Sequence, residues 1–425
     1  MKILFAFFNL ALLAFIIYRY WKLHQENSIS MFYWPALVVK AMGGVALGLI
    51  YLYYYQIPAD TFLFFEDSKK LTELARIDFL SYVRFLFLDD PTHPLWTEIV
   101  YQQSRALFMV KITSLFGLIT LDNYWITSIY FSVLSFICAW RLTTSIVESF
   151  PSAKTAAVVA FLYFPSVVFW SSGLIKESVA IAALFFLSTA VIRLWVGKQL
   201  QWWEWIVVIF SAWVEWRLKY YYLAVFLPIA AAALITRRLS NTWHVKGTAI
   251  KALLWIATFI FPLVIISFLR PNFYPARILA VIVSNYHEFT AMSDAEDVIE
   301  YPSLEPTISS VVRNIPKALV SGIFRPFPWE AHTMFQWLIA FENVVLLLLS
   351  VTSIGNIARL VKSRHRLLLC SILLYVTVLC VFLALSTPNF GTLSRYRVSF
   401  LPFFFLLITI ENPFVKKLST LIQRS

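Results

Sequence analysis

Asp60 is the first residue of this chain whose surroundings suggest chemistry. It stands in Gln56-Ile-Pro58-Ala-Asp60-Thr-Phe-Leu-Phe64-Phe-Glu66-Asp67-Ser-Lys69-Lys70, just beyond an apolar run that ends near residue 55. Pro58 can open a helix there, and helical spacing then puts Asp60, Phe64 and Asp67 on one face. A carboxylate held just above a bilayer can take a proton from an incoming hydroxyl, which is the work of a general base. The other reading of Asp60 is a first-turn acid that satisfies the helix N-terminus.

Five cations form the second group. Lys176, Arg217, Lys219, Arg395 and Arg397 sit at ends of apolar runs that the topology below places on the outer side, where positive charge is normally avoided. Binding an anion accounts for them. A partly desolvated ammonium or guanidinium at that level suits a lipid phosphate, and arginine adds a bidentate fork. The alternative is snorkelling to headgroups. Trp213-Val-Glu215-Trp216-Arg217-Leu-Lys219-Tyr220-Tyr-Tyr222 packs an acid, two cations and aromatic rings into a short turn. It reads as a headgroup site, or else as an aromatic belt with a Glu215 to Lys219 pair at helical spacing.

Arg325-Pro-Phe-Pro328-Trp329-Glu330-Ala-His332 leads into a later apolar run, so Arg325, Glu330 and His332 are further candidates for the same outer site. A lone histidine at an interface is more often structural than catalytic. Glu342, two turns on, is expensive in lipid and should face the protein interior, paired with a buried cation. Asp294, Glu296, Asp297 and Glu300 have no ligand periodicity and read as a solvated loop face.

The elements that must position these residues are membrane helices. Of the 425 residues, 60% are hydrophobic and only 14% charged, and a mean hydropathy of +0.74 excludes an ordinary soluble domain. The formal net charge of +12 does not indicate nucleic acid, because the Lys and Arg residues cluster between apolar runs rather than along one surface. Positive-inside topology accounts for them. Cys138, Cys370 and Cys380 lie in apolar segments without metal or disulfide spacing and read as packing residues. The apolar stretch Ile3 to Tyr18 is followed by Arg19, Lys22 and His24 without a small-residue cleavage site, which suggests an uncleaved helix.

Apolar runs able to cross about 30 Å of hydrocarbon occur at 3–18, 32–55, 104–120, 124–141, 154–170, 175–195, 202–216, 219–236, 250–269, 334–358, 366–386 and 396–412. The expected fold is an all-α polytopic membrane protein of about 11–13 transmembrane helices. It forms a single membrane domain, 1–425, with longer extracytoplasmic loops at about 56–103 and 270–333. The basic clusters, including Arg237/Arg238/Lys246 and Arg359/Lys362/Arg364/Arg366, mark the cytoplasmic side, as do Lys416/Lys417/Arg424. A parity conflict remains. Either 104–120, which carries Arg105 and Lys111, is interfacial or re-entrant, or Phe79 to Leu88 makes a partial crossing. Gly44 and Gly48 have the spacing of close helix packing, and Lys40 of the same run should turn inward.

Taken together, these residues resemble the GT-C superfamily of membrane glycosyltransferases, which includes protein mannosyltransferases and aminoarabinose transferases. Ala59-Asp60-Thr-Phe-Leu-Phe64 resembles the family's catalytic Asp in the first external loop. Asp89-Asp90-Pro91-Thr-His93-Pro94-Leu95 is similar to its His-Pro-Pro-Leu element, with one Pro missing. Ser394-Arg395-Tyr396-Arg397-Val-Ser-Phe-Leu-Pro402 resembles its late Arg-Tyr and Pro pattern. Pro165-Ser-Val-Val-Phe-Trp170-Ser-Ser-Gly173-Leu-Ile-Lys176-Glu177-Ser is similar to a Pro-containing hairpin whose polar residue, here Lys176 or Glu177, faces the site. The resemblance implies transfer of a sugar, with inversion, from a polyprenyl-phosphate donor to a glycan, lipid or protein acceptor. It places the reaction on the outer face of a cell (inner) membrane. No cofactor is called for. The chain has no clear Asp-Xaa-Asp pair, so a divalent metal is left as an open option.

An O-antigen ligase or polymerase is the alternative enzyme, although no large loop with repeated Arg and a dominant His is present. A lipid or solute transporter is the non-enzymatic alternative. It predicts midplane charges and repeats, whereas the charges here gather at one rim.

Overall fold

The computed structural model describes residues 2–54, 60–89, 91–269, 274–356 and 362–422. Pro58, Asp90, Arg359 and Arg424, all used in the sequence reading, lie outside the described residues. The described chain is nearly all helical. Its helices are α1 (Lys2–His24), α2 (Tyr33–Tyr53), α3 (Asp60–Ile77), α4 (Phe79–Leu88), α5 (Leu95–Glu98), α6 (Ser104–Thr120), α7 (Tyr124–Ser149), α8 (Lys154–Val158), α9 (Pro165–Trp170) and α10 (Lys176–Trp195). They continue with α11 (Trp202–Thr242), α12 (Thr248–Leu269), α13 (Pro275–Met292), α14 (Ile308–Phe324), α15 (Met334–Ser353), α16 (Arg366–Ser386), α17 (Phe390–Tyr396), α18 (Leu401–Thr409) and α19 (Pro413–Ile422).

Among the described residues, eight helices are long and apolar enough to cross a membrane. They are α1, α2, α7, α10, α11, α12, α15 and α16. The chain is therefore a helical, multi-pass membrane protein. The expected runs at 154–170 and 396–412 are instead broken. The first comprises α8, a π turn at Val159–Tyr163 and α9, which Pro165 opens. The second begins in the short α17, passes a 3-10 turn at Arg397–Ser399 and resumes as the nine-residue α18. Hydropathy registers how apolar a run is and misses a local change of helical pitch. The runs expected at 202–216 and 219–236 form one 41-residue helix interrupted at Lys219, whose φ of −141° and ψ of 60° are not helical. α6 is not among the eight. It packs against α3, and Gly117 allows the approach, since a Cβ there would lie 2.9 Å from Thr72 Cγ2.

The described residues form two compact units. The first comprises Met1–Glu148, Phe161–Ala190 and Gln201–Tyr220. In it, α3 buries Thr61, Phe64, Phe65, Ser68, Leu71 and Thr72, a stripe at helical spacing that faces its neighbours. α4 starts on Asp78, which accepts hydrogen bonds from the Leu80 and Ser81 backbone N–H groups. The Ser81 hydroxyl and these backbone donors hold the Asp78 carboxyl below the usual range. α2 and α9 are in close contact. A Cβ at Gly44 would meet Ser132 Oγ at 2.3 Å and the Gly173 nitrogen at 3.1 Å, so the glycine is what lets the backbones meet. Gly173 itself has φ +72°, the left-handed turn that ends α9 and delivers Lys176 to the start of α10.

The second unit comprises Ser149–Ala160, Val191–Leu200 and Tyr221–Ser425. Its centre is α16, which packs against α13, α14 and α18. A Cβ at Gly322 of α14 would lie 2.4 Å from Cys380 Sγ, so Cys380 is buried against a helix crossing.

Candidate functional site

In the first unit, Asp60 is the opening residue of α3 and is half-buried. The Tyr101 hydroxyl donates to its Oδ1 at 2.7 Å. The Tyr101 ring stacks on Phe64 with centroids 4.6 Å apart. Lys176 Nζ lies 5.1 Å from the centroid of that same Phe64 ring. An acid, a phenol and an ammonium are thus arranged around one buried aromatic side chain.

Asp67 is buried on the same helix. It accepts from the Val100 and Tyr101 backbone N–H groups, each at 3.0 Å, and from Lys70 Nζ at 2.9 Å. The sequence grouped Asp67 with Asp60 as an acid of the same loop, in a supporting or acceptor-binding part. Its carboxylate holds the loop that carries Tyr101 and is satisfied by protein donors.

Glu177, next to Lys176, is buried and pairs with buried Lys219 at 2.9 Å. Glu215, one turn before Lys219, is also buried, and its carboxylate oxygens have no hydrogen-bond partner. Lys219 is therefore turned inward beside two carboxylates, at the interruption in α11, and is not the outward cation the sequence suggested. Lys40 is likewise buried and donates to Ser171 Oγ.

Arg217 keeps its charge near the surface, with 33% of its side chain exposed. Its guanidinium lies over the Phe108 ring at 5.1 Å and stands 3.7 Å from Asp89 Oδ2. Its buried Nε has no hydrogen-bond partner. Asp89 also pairs with Lys111, while Arg105 lies over the Tyr220 ring at 4.4 Å. The sequence reading named Arg105 and Lys111 only as charges in an apolar run and did not single out Tyr101. The signal for Lys111 was present, since a lysine inside an apolar helix needs an internal partner. Tyr101 carried no signal, because its role depends on a loop fold.

The remaining candidates lie in the second unit. Arg397 is completely buried. It donates to Asn343 Oδ1 at 2.7 Å, to the Ile323 and Arg325 carbonyls at 3.3 and 3.4 Å, and to Glu342 Oε1 at 3.4 Å. Glu342 thus faces the protein interior, as its position in an apolar helix requires, and Arg397 is a structural cation rather than an accessible phosphate ligand. Arg395, in the last turn of α17, is half-buried. Arg325 pairs with Glu330, Nε to Oε2 at 3.0 Å, and lies over the Phe390 ring. Glu330 also accepts the Phe327 N–H, so the two close a local turn. His332 donates its backbone N–H to Gln336 Oε1.

Among the described residues, no group of three or more His, Cys, Asp and Glu side chains could hold a metal ion. Comparison with family models, curated proteins and solved structures finds no match for this chain.

Proposed function

We propose that this chain is a membrane glycosyltransferase of GT-C type that moves a sugar from a polyprenyl-phosphate donor to an acceptor at the extracytoplasmic face. In this reading Asp60 takes the proton from the acceptor hydroxyl. The freed oxygen attacks the anomeric carbon from the face opposite the phosphate, the carbon–oxygen bond to phosphate breaks, and the configuration inverts. In the same reading Arg217 and Lys176 are the cations that offset the charge growing on the leaving phosphate. The two interrupted runs and α6 would complete the larger set of crossings expected for such an enzyme.

The observation that carries the reading is the placing of Asp60. It stands at the head of a helix, fixed by Tyr101 and linked through Phe64 to the cation of the Gly173 hairpin. A carboxylate that merely capped α3 would not need a phenol to orient it.

The test is reconstitution. The purified chain, placed in liposomes with polyprenyl-phosphate-linked sugars and candidate glycan, lipid or peptide acceptors, should release polyprenyl phosphate and form a product of inverted configuration. Product formed with retention of configuration, or release that is unchanged in Asp60→Asn, would remove this reading. Activity confined to a polyprenyl-diphosphate-linked glycan would favour the ligase-like alternative.

A further inference from the structure

We propose that Lys111 and Arg217 form a phosphate-binding site that Asp89 occupies as an internal counter-ion, and that a phosphate ester binds by displacing the Asp89 carboxylate. The inference deepens the reading of Arg217 as a phosphate ligand and rests on it.

Three observations carry it. Arg217 is under-used. A guanidinium has five N–H donors, yet among the described residues its polar neighbour is one carboxylate oxygen at 3.7 Å, and the buried Nε has no partner there. Contact with the Phe108 ring orients the fork without satisfying it.

The second observation is a surplus of positive charge. Lys111 is 5% exposed and shares the single Asp89 carboxylate with Arg217. Besides Asp89 it has the Leu86 carbonyl at 2.8 Å. Among the described residues one carboxylate faces these two cations, whereas a phosphate monoester brings more charge and three acceptor oxygens.

The third is the position of Asp89 itself. It caps the C-terminal end of α4 with φ 50°, where the helix dipole disfavours a negative side chain. Its side chain is 38% exposed. An aspartate tolerates the left-handed backbone better than most residues.

The opposing signs of two substitutions provide the experiment. Full-length protein in detergent is titrated with inorganic pyrophosphate as the probe, and binding is read by calorimetry. Arg217→Gln should weaken binding about tenfold or more, the loss expected for one charge-assisted contact. Asp89→Asn should tighten it about fivefold, the upper range for a partly exposed ion pair that no longer competes. Asp89→Glu, which keeps the charge, should behave like the unaltered chain and guards against Asp89→Asn acting through misfolding.

A second arm uses phosphatidylcholine nanodiscs with and without a polyprenyl phosphate. Displacement of pyrophosphate by the doped lipid identifies a lipid-linked phosphate as the ligand. Displacement by inorganic phosphate alone identifies a free one, and both results support the site. Asp89→Asn that folds but binds pyrophosphate no tighter overturns the inference, as does a lack of binding in all variants. Sugar transfer is not read here. A chain inactive in transfer can therefore still pass, and an active one can fail.

Discussion

Replacing Arg397 should unfold the protein more readily without acting on donor phosphate first. The sequence placed Arg395 and Arg397 together as outer cations, but the geometry separates them. Arg397 is completely buried and has four acceptors between 2.7 and 3.4 Å, drawn from α14, α15 and the Arg325 carbonyl. Arg397→Leu leaves Glu342 buried without its cation and the Asn343 amide oxygen without its donor. Breaking a buried ion pair by removing one partner costs about 3–5 kcal/mol. At the shallow end of the usual conversion, this lowers the melting temperature by roughly 6–10 °C. Arg397→Lys should recover part of the loss, since an ammonium keeps the charge but cannot span the same acceptors. Arg395→Gln, at a half-buried site, should melt close to the unaltered chain. The assay is thermal melting of detergent-purified variants followed by intrinsic fluorescence. If Arg397→Leu melted like the unaltered chain while Arg395→Gln unfolded early, the assignment of Arg397 as the structural cation would be wrong.

Four further outcomes are expected. Tyr101→Phe should leave melting nearly unchanged but lower turnover about tenfold, because the lost hydrogen bond to a charged group, at about 1.5 kcal/mol, is what orients Asp60; equal turnover would make the contact incidental. Asp67→Asn should mainly reduce stability, by about 1–3 kcal/mol, since it weakens the acceptor that holds the Val100–Tyr101 backbone; a full loss of turnover with intact melting would return Asp67 to the chemistry. Gly173→Ala should destabilise by about 1–2 kcal/mol from the left-handed backbone alone, and more because its Cβ would lie 3.3 Å from the Gly44 carbonyl; melting curves decide. In intact cells, an impermeant thiol reagent should label Glu305→Cys and spare Asn241→Cys, and the reverse pattern would invert the proposed orientation.

Much of the architecture was legible in the sequence because membrane solvent imposes a simple rule. Backbone groups in lipid must be satisfied within helices, so apolar length reports helices directly. Lys219 was legible as a break because charge crowds between two apolar runs. The Gly44 packing contact was legible as small-residue spacing. The breaks within 154–170 and 396–412 were not, since a π turn and a 3-10 turn leave composition apolar. Within the proposed site, Asp60 and Arg217 are chosen from residue type and position. The inward turn of Lys219 and Arg397 could not, because a cation at a helix end can face lipid, water or protein, and only its packed neighbours decide. Tyr101 was hidden for the same reason, since its position depends on the backbone grip of Asp67.

The most direct test of the central claim separates donor binding from turnover in Asp60→Asn. The substitution is nearly isosteric and keeps an oxygen for the Tyr101 hydroxyl, but it removes the negative charge that accepts a proton. Binding of a polyprenyl-phosphate sugar to the variant in nanodiscs should match that of the unaltered chain. Transfer should fall by about 10²–10⁴-fold, the usual contribution of a positioned base. Near-normal transfer by Asp60→Asn, with donor bound and the fold intact, would contradict the account.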